Sequence, residues 1–250
     1  MSPTAPATPP DELTDEQVAA YHRYGYLAVP AIAGPDEVIA LQDIYDELFG
    51  SGSAVPDADR FELAGSGGEE LLPQIVNPHL YAPSLLETGA YERACRFAIQ
   101  LLGDGAAPAG THAIRKPARH GAETPWHQDE AYWAPDQRHY ALSIWVPLQE
   151  ATVGNGCMQF LPGSHRAGVA PHRLITQDAH GLVLSNPVDT GEAVVCELGP
   201  GGATIHDSQT IHYTGPNTSD QPRRALIMAF GQPAEPMANP RHFPWRRSDW

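Results

Sequence analysis

Beyond Gly103 the chain breaks into short apolar runs, at residues 111–114, 140–148, 157–161, 194–198, 203–206 and 225–231, with proline and glycine between them. None is long enough for a helix of three turns, and turn residues punctuate them every ten residues or so. Segments like these are stable only when they pair side by side and bury one face. The pattern therefore predicts an antiparallel sandwich or barrel. No repeat of about 20–50 residues is visible, which excludes a solenoid.

The first hundred residues read differently. Residues 13–24 predict a helix, with Thr14 as cap, Gln17 completing a capping box and Gly25 as stop. Residues 26–30 predict a short strand. Pro35 suits a first helical turn, and Val38, Leu41, Tyr45 and Leu48 share one face of a second helix ending at Gly50. Residues 51–69, rich in Gly, Ser, Asp and Ala, predict a surface loop. A third helix is expected over residues 84–102, with Leu85, Leu86, Ala94, Phe97 and Leu101 as its apolar positions. The expected organisation is a disordered tail (1–11) and one domain (12–250). That domain has a helical part (12–103) supporting a β-rich core (about 104–235), so the fold class is mainly β with supporting helices.

Composition removes several functions. The net charge of -15 repels phosphate backbones, so nucleic acid is not an expected partner. No apolar run approaches the ~18 residues of a membrane span. The opening MSPTAPATPP lacks the basic and apolar regions of a secretory signal. The three cysteines, Cys95, Cys157 and Cys196, form no CxxC pair. A reducing cytoplasm is the expected location. The 15 basic residues are fourteen arginines and a single lysine, Lys116.

Among 12 histidines, one H-x-D triplet is expected close to once by chance, so His127-Gln128-Asp129 is weak evidence alone. Its physics is more telling. Residues i and i+2 of an extended strand project to one face, so an imidazole and a carboxylate can grip one metal together. A second histidine would complete a two-histidine, one-carboxylate triad, the arrangement of oxygen-activating Fe(II) with open positions. His206 and His212 both offer themselves. After His212 comes a turn-rich loop and then Arg223 and Arg224, opening a strand. Neighbours on a strand face opposite ways, so one of these arginines points inward. A buried guanidinium matches the distal carboxylate of a keto-acid cosubstrate.

These residues resemble the phytanoyl-CoA dioxygenase family of iron(II)/2-oxoglutarate oxygenases, ectoine hydroxylase among them. The likeness covers most of the chain, including the opening TDEQVAAYHRYGYLAVP, the stretch WHQDEAYW, Gly156, Pro162-Gly163-Ser164-His165 and the turn GPNTS. It implies a double-stranded β-helix (jelly roll, cupin-like) core and the cofactors Fe(II), 2-oxoglutarate and dioxygen. The metal ligands it implies are His127, Asp129 and His212, the last being followed eleven residues on by Arg223 as carboxylate anchor; His206 is expected instead to end the preceding strand and to hydrogen-bond locally. It further places Trp145, Thr214 and Lys116 near 2-oxoglutarate. Gly110 departs from the ectoine-hydroxylase branch, which has glutamine there, so ectoine is not implied.

Tyr132, Trp133 and Gln74 are the expected substrate-facing residues. The expected substrate is a small organic molecule, and the expected step a tailoring reaction of secondary metabolism, as in antibiotic biosynthesis. An acyl-CoA is disfavoured by the charge. Hydroxylation by hydrogen abstraction is the default outcome, with cyclisation, epimerisation or desaturation as diversions of the same chemistry. Asp129 argues against halogenation, which needs that carboxylate replaced. The rivals are a cupin-like metalloenzyme without 2-oxoglutarate and a non-catalytic jelly-roll binding protein. Oligomeric state is not legible.

Overall fold

The computed structural model describes residues 8–65, 70–177 and 179–246. The expected tail up to residue 7, and residues 66–69 of the expected loop, lie outside the described residues.

Helix α1 (Asp15–Tyr24) forms with both halves of its capping box in place: the Thr14 hydroxyl accepts from Gln17 N and the Gln17 amide oxygen accepts from Thr14 N. Gly25 ends it at φ 80°, and a side chain there would collide with His165 and Thr210. Helix α2 (Pro35–Phe49) buries Val38, Leu41, Tyr45 and Leu48, the face expected from their spacing. The third helix starts later than expected. Residues 83–87 make a separate 3-10 turn, and α3 spans Gly89–Leu102. The reason is local: Thr88 is extended (ψ 145°) and its hydroxyl caps the new helix at Tyr91 N, 3.1 Å away.

The strands in chain order are β1 (Tyr26–Val29), β2 (Arg60–Glu62), β3 (Pro73–Val76), β4 (Ala107–Lys116), β5 (Thr124–His127), β6 (Gln137–Arg138) and β7 (Ala141–Pro147). They continue with β8 (Met158–Phe160), β9 (His172–Leu174), β10 (Leu182–Leu184), β11 (Val194–Cys196), β12 (Ala203–Asp207), β13 (His212–Thr214), β14 (Arg223–Gly231) and β15 (Glu235–Pro236). One antiparallel sheet runs β1-β12-β7-β14-β4-β3-β2; a second, facing it, runs β11-β8-β13-β5. The eight strands β4, β5, β7, β8, β11, β12, β13 and β14 thus divide four and four between the sheets. This is the double-stranded β-helix.

The larger sheet has two dissimilar faces because strand side chains alternate. On β14, Leu226, Met228 and Phe230 pack with Tyr45, Phe97 and Leu101 of the helices. Arg223, Ile227 and Ala229 face the other way, into the space between the sheets. Each fully buried Leu, Met or Phe on the helix side contributes about 1.5–3 kcal/mol. That rigid backing holds the polar inner face in register: Arg223 lies opposite Lys116, and Ile227 lies between His112 and Trp145.

Each expected apolar run overlaps a strand. The short strands β5 and β13 had no apolar run to announce them, because they are built largely from polar side chains.

Candidate active site

Strand β5 ends at His127, and Asp129 opens a 3-10 turn (Asp129–Tyr132) rather than continuing the strand. Gln128 between them is still extended (φ -129°, ψ 135°), so the two side chains keep to one side. Gln128 is fully buried and holds the junction still. Its amide donates to Gly168 O and Gln209 O and accepts from Ala170 N, while its own N–H donates to His172 Nε2 at 3.1 Å.

His212 enters from β13, paired directly with His127 on β5. The two rings lie 4.1 Å apart between centroids. Each Nδ1 sits on a backbone carbonyl, Pro125 O at 2.8 Å and Thr210 O at 2.9 Å. This fixes the Nδ1–H tautomer and leaves both Nε2 lone pairs facing Asp129 Oδ1, at 3.8 Å and 3.5 Å. The other carboxylate oxygen is occupied: Asp129 Oδ2 accepts from Ser143 Oγ at 2.7 Å and lies 3.3 Å from His206 Nε2. One free carboxylate oxygen and two imidazole nitrogens within 4.8 Å of one another remain to hold a metal.

Charge states agree with that task. Burial pushes the His127 and His212 rings below the usual histidine range, so both are neutral. For Asp129 burial acts upward, but His212, His206 and His127 together outweigh it and hold the carboxyl far below its ordinary value. Neutral imidazoles with an ionised carboxylate are the form a cation needs. Two nitrogens and one oxygen, with no thiolate, suit Fe(II) and leave positions for other ligands.

The same cavity, about 280 Å3, extends to Arg223. Arg223 is 1% exposed and makes no hydrogen bond or ion pair among the described residues; its Nε and Nη1 are sealed from solvent without partners. Its guanidinium lies 5.3 Å from the Trp145 ring centroid. Burial lowers its pKa to about 10, so it stays charged at neutral pH. A buried guanidinium without a hydrogen-bond or ion-pair partner among the described residues is costly, and an anion could complete it. Arg224 faces outward and pairs with Asp46 at 2.7 Å.

Of the residues singled out from sequence, His127, Asp129, His212, Arg223, Trp145, Thr214, Tyr132, Trp133 and Gln74 all line this cavity. Lys116 does not. It is fully buried beside Arg223, and its ammonium donates to Thr214 O at 3.2 Å and Gly215 O at 2.6 Å. Gly156 packs on the same carbonyl, where a Cβ would stand 2.3 Å from Gly215 O. Asn217, in the turn GPNTS, ties this loop to Lys116 O, Pro117 O and Gln221 O. Thr214 Oγ1 donates to Thr124 Oγ1, and Tyr132 OH accepts from Leu182 N.

Sequence reasoning missed Ser143, His112 and Thr124 on the cavity wall. It also expected His206 to end its strand and bond locally; the ring instead lies inside β12, 3% exposed, against Asp129. Their common signal is strand alternation, since Ser143 and His206 pair across β7 and β12 on the inner face.

Comparison with known proteins places this arrangement. Residues 21–225 match the profile of the phytanoyl-CoA dioxygenase (PhyH) family. The crystal structure of EvdO2 from Micromonospora carbonacea var. aurantiaca complexed with 2-oxoglutarate is 42% identical, with TM-score 0.84 over 94% of this chain and 97% of that one. EctD from S. alaskensis with bound Fe is 26% identical, with TM-score 0.70 over 88% and 77%. The probable alpha-ketoglutarate-dependent hypophosphite dioxygenase of Stutzerimonas stutzeri is 30% identical over 223 residues, 86% of this chain and 77% of its own. On this evidence the chain belongs to the phytanoyl-CoA dioxygenase family and is a dioxygenase that uses Fe(II), 2-oxoglutarate and dioxygen.

Proposed function

We propose that His127, Asp129 and His212 hold the Fe(II), that Arg223 receives the distal carboxylate of 2-oxoglutarate, and that the enzyme hydroxylates a small organic molecule in secondary metabolism. The observation that carries this reading is the buried guanidinium without a hydrogen-bond or ion-pair partner among the described residues, in one cavity with the His-Asp-His cluster. A dianionic keto acid spanning the two would complete both.

The protein's own contributions follow from the geometry. Pro125 O and Thr210 O orient the two imidazoles, and Ser143 keeps Asp129 Oδ2 turned away so that Oδ1 faces inward. Trp145 forms a wall beside Arg223, and Thr214 and Thr124 place hydroxyls along the same stretch. Lys116 holds the backbone after His212 through Thr214 O and Gly215 O. Tyr132 and Trp133, on and beside the turn that carries Asp129, screen the opposite side from water. The iron and cosubstrate, when bound, supply the oxidation; the retained carboxylate of Asp129 favours oxygen transfer over halogenation.

Small size and apolar lining support a compact organic substrate. Among the described residues, no helix is long and apolar enough to cross a membrane. Anaerobic titration of the purified protein with Fe(II) and 2-oxoglutarate tests the assignment. A weak visible charge-transfer band should appear for the wild type and be lost in Arg223→Ala at the same cosubstrate concentration. A band of wild-type intensity and midpoint in Arg223→Ala would show that the cosubstrate is anchored elsewhere.

A further inference from the structure

On the sheet that carries Trp145, two and three strands beyond it, the cavity wall has a polar pair that the binding of iron and 2-oxoglutarate does not use. His112 stands on β4, opposite Ile227 of β14 and Val76 of β3; Gln74 stands on β3, opposite Ile114. Both line the cavity, where Leu63, Leu72, Ile175 and Leu182 supply apolar walls. Neither side chain has a hydrogen-bond partner among the described residues. An unpaired polar group on a buried wall costs stability unless a ligand satisfies it.

The imidazole is more informative than the amide. His112 Nδ1 is sealed from solvent with no partner, while Nε2 opens to the cavity. Orphaned buried N–H groups are rarer than orphaned acceptors, so the proton belongs on Nε2. Burial also lowers the pKa of this ring, which keeps it neutral. His112 therefore offers the cavity one neutral donor. Among the described residues lining the cavity, Arg223 is the sole arginine or lysine. An anion at the His112 end would lose its hydration with no basic side chain there to replace it.

We infer that the substrate is a neutral, oxygen-bearing small molecule, one of whose hydroxyl, ether or carbonyl oxygens accepts a hydrogen bond from His112 Nε2–H beside the Gln74 amide. This rests on the assignment of Arg223 to 2-oxoglutarate made above. His112 is then a specificity-determining residue, selecting by hydrogen bonding where an ion pair would select by charge.

The test uses the wild type, His112→Phe and His112→Gln, each loaded with Fe(II) and 2-oxoglutarate. Absence of the charge-transfer band in the wild type would overturn the cosubstrate assignment itself. With the band present, substrate-stimulated succinate release is screened over neutral probes (alkyl and aryl glycosides, polycyclic phenols) and anionic ones (hypophosphite, methylphosphonate, a short acyl-CoA). Neutral probes should stimulate release. His112→Phe should raise KM about tenfold, the value of one neutral hydrogen bond, with kcat less affected, and His112→Gln should recover part of the loss. Stimulation by the anions alone, or an unchanged KM in His112→Phe, would overturn the inference. A substrate-free reading comes from 15N-histidine NMR of the Zn(II)- and 2-oxoglutarate-loaded protein. Protonation of His112 at Nε2 is expected, and a proton at Nδ1 would refute the hydrogen-bonding scheme.

Discussion

Lys116 and Arg223 are neighbours in register, both buried and both basic, yet the structure gives them different surroundings. Replacing each by methionine should move stability and cosubstrate affinity in different directions. Lys116→Met removes two hydrogen bonds from Nζ to Thr214 O and Gly215 O and leaves those carbonyls without that donor. Each buried carbonyl left unpaired costs about 1–3 kcal/mol. Against that, Arg223 loses a like charge, and burial and Arg223 already hold the Lys116 pKa well below its ordinary value. A net loss of about 2 kcal/mol is expected, or roughly 4–8 °C in Tm for a chain of this size.

Arg223→Met removes a cation with no hydrogen-bond or ion-pair partner among the described residues, so Tm without ligand should hold or rise. Its cost falls on binding. Two charge-assisted hydrogen bonds at about 1.5 kcal/mol each give about 3 kcal/mol, more than 100-fold in the 2-oxoglutarate Kd. Lys116→Met should change that Kd by less than about tenfold. Calorimetry of the metal-free protein and anaerobic charge-transfer titration give the two numbers. If Lys116→Met left Tm unchanged and weakened 2-oxoglutarate as much as Arg223→Met, Lys116 would be a cosubstrate contact and its role as a backbone clamp would be refuted.

Other substitutions probe the support of the site. Arg241→Ala should cost about 3 kcal/mol in urea unfolding, because it strips an ion pair at 2.6 Å from Glu130, whose side chain is fully buried; Glu130→Gln should cost less. Ser143→Ala should weaken Fe(II) affinity about tenfold or more by freeing Asp129 Oδ2, read by metal titration at constant Tm. His172, whose pKa burial lowers to about 4, has a folded value below the ordinary 6.5. Its stability contribution of about 3 kcal/mol is therefore present above pH 6.5 and lost as pH falls through about 4. His172→Gln keeps an acceptor for Gln128 N–H, so its unfolding free energy should fall less steeply over that window than the wild type's. Gly156→Ala should lower Tm and loosen the His212 loop, since a Cβ at φ 86° would meet Gly215 O at 2.3 Å.

Much of the architecture was legible from local chemistry. The capping box at Thr14 and Gln17, the stop at Gly25 and the buried face of α2 depend on residues three or four apart, and they formed as expected. The third helix was misjudged at its start because Thr88 caps more strongly than the apolar spacing suggests. Strands β5 and β13 escaped notice because their side chains serve the site rather than the core. The expectation that His206 bonds locally failed because its position against Asp129 depends on a turn 77 residues away in the chain.

The sequence by itself determined the β-rich class and the family, and it narrowed the inward arginine to two adjacent positions. Those properties follow from short-range patterning and from spacing along one chain. Tertiary structure alone decided which polar groups meet. Pairing of β5 with β13 brings His127 to His212, and pairing of β4 with β14 sets Lys116 beside Arg223 while turning its ammonium to the Thr214 loop. It also left His112 with one nitrogen sealed and one open to the cavity. Sheet register and burial create those relations, and neither can be read from residue spacing, because the partners come from strands far apart in sequence.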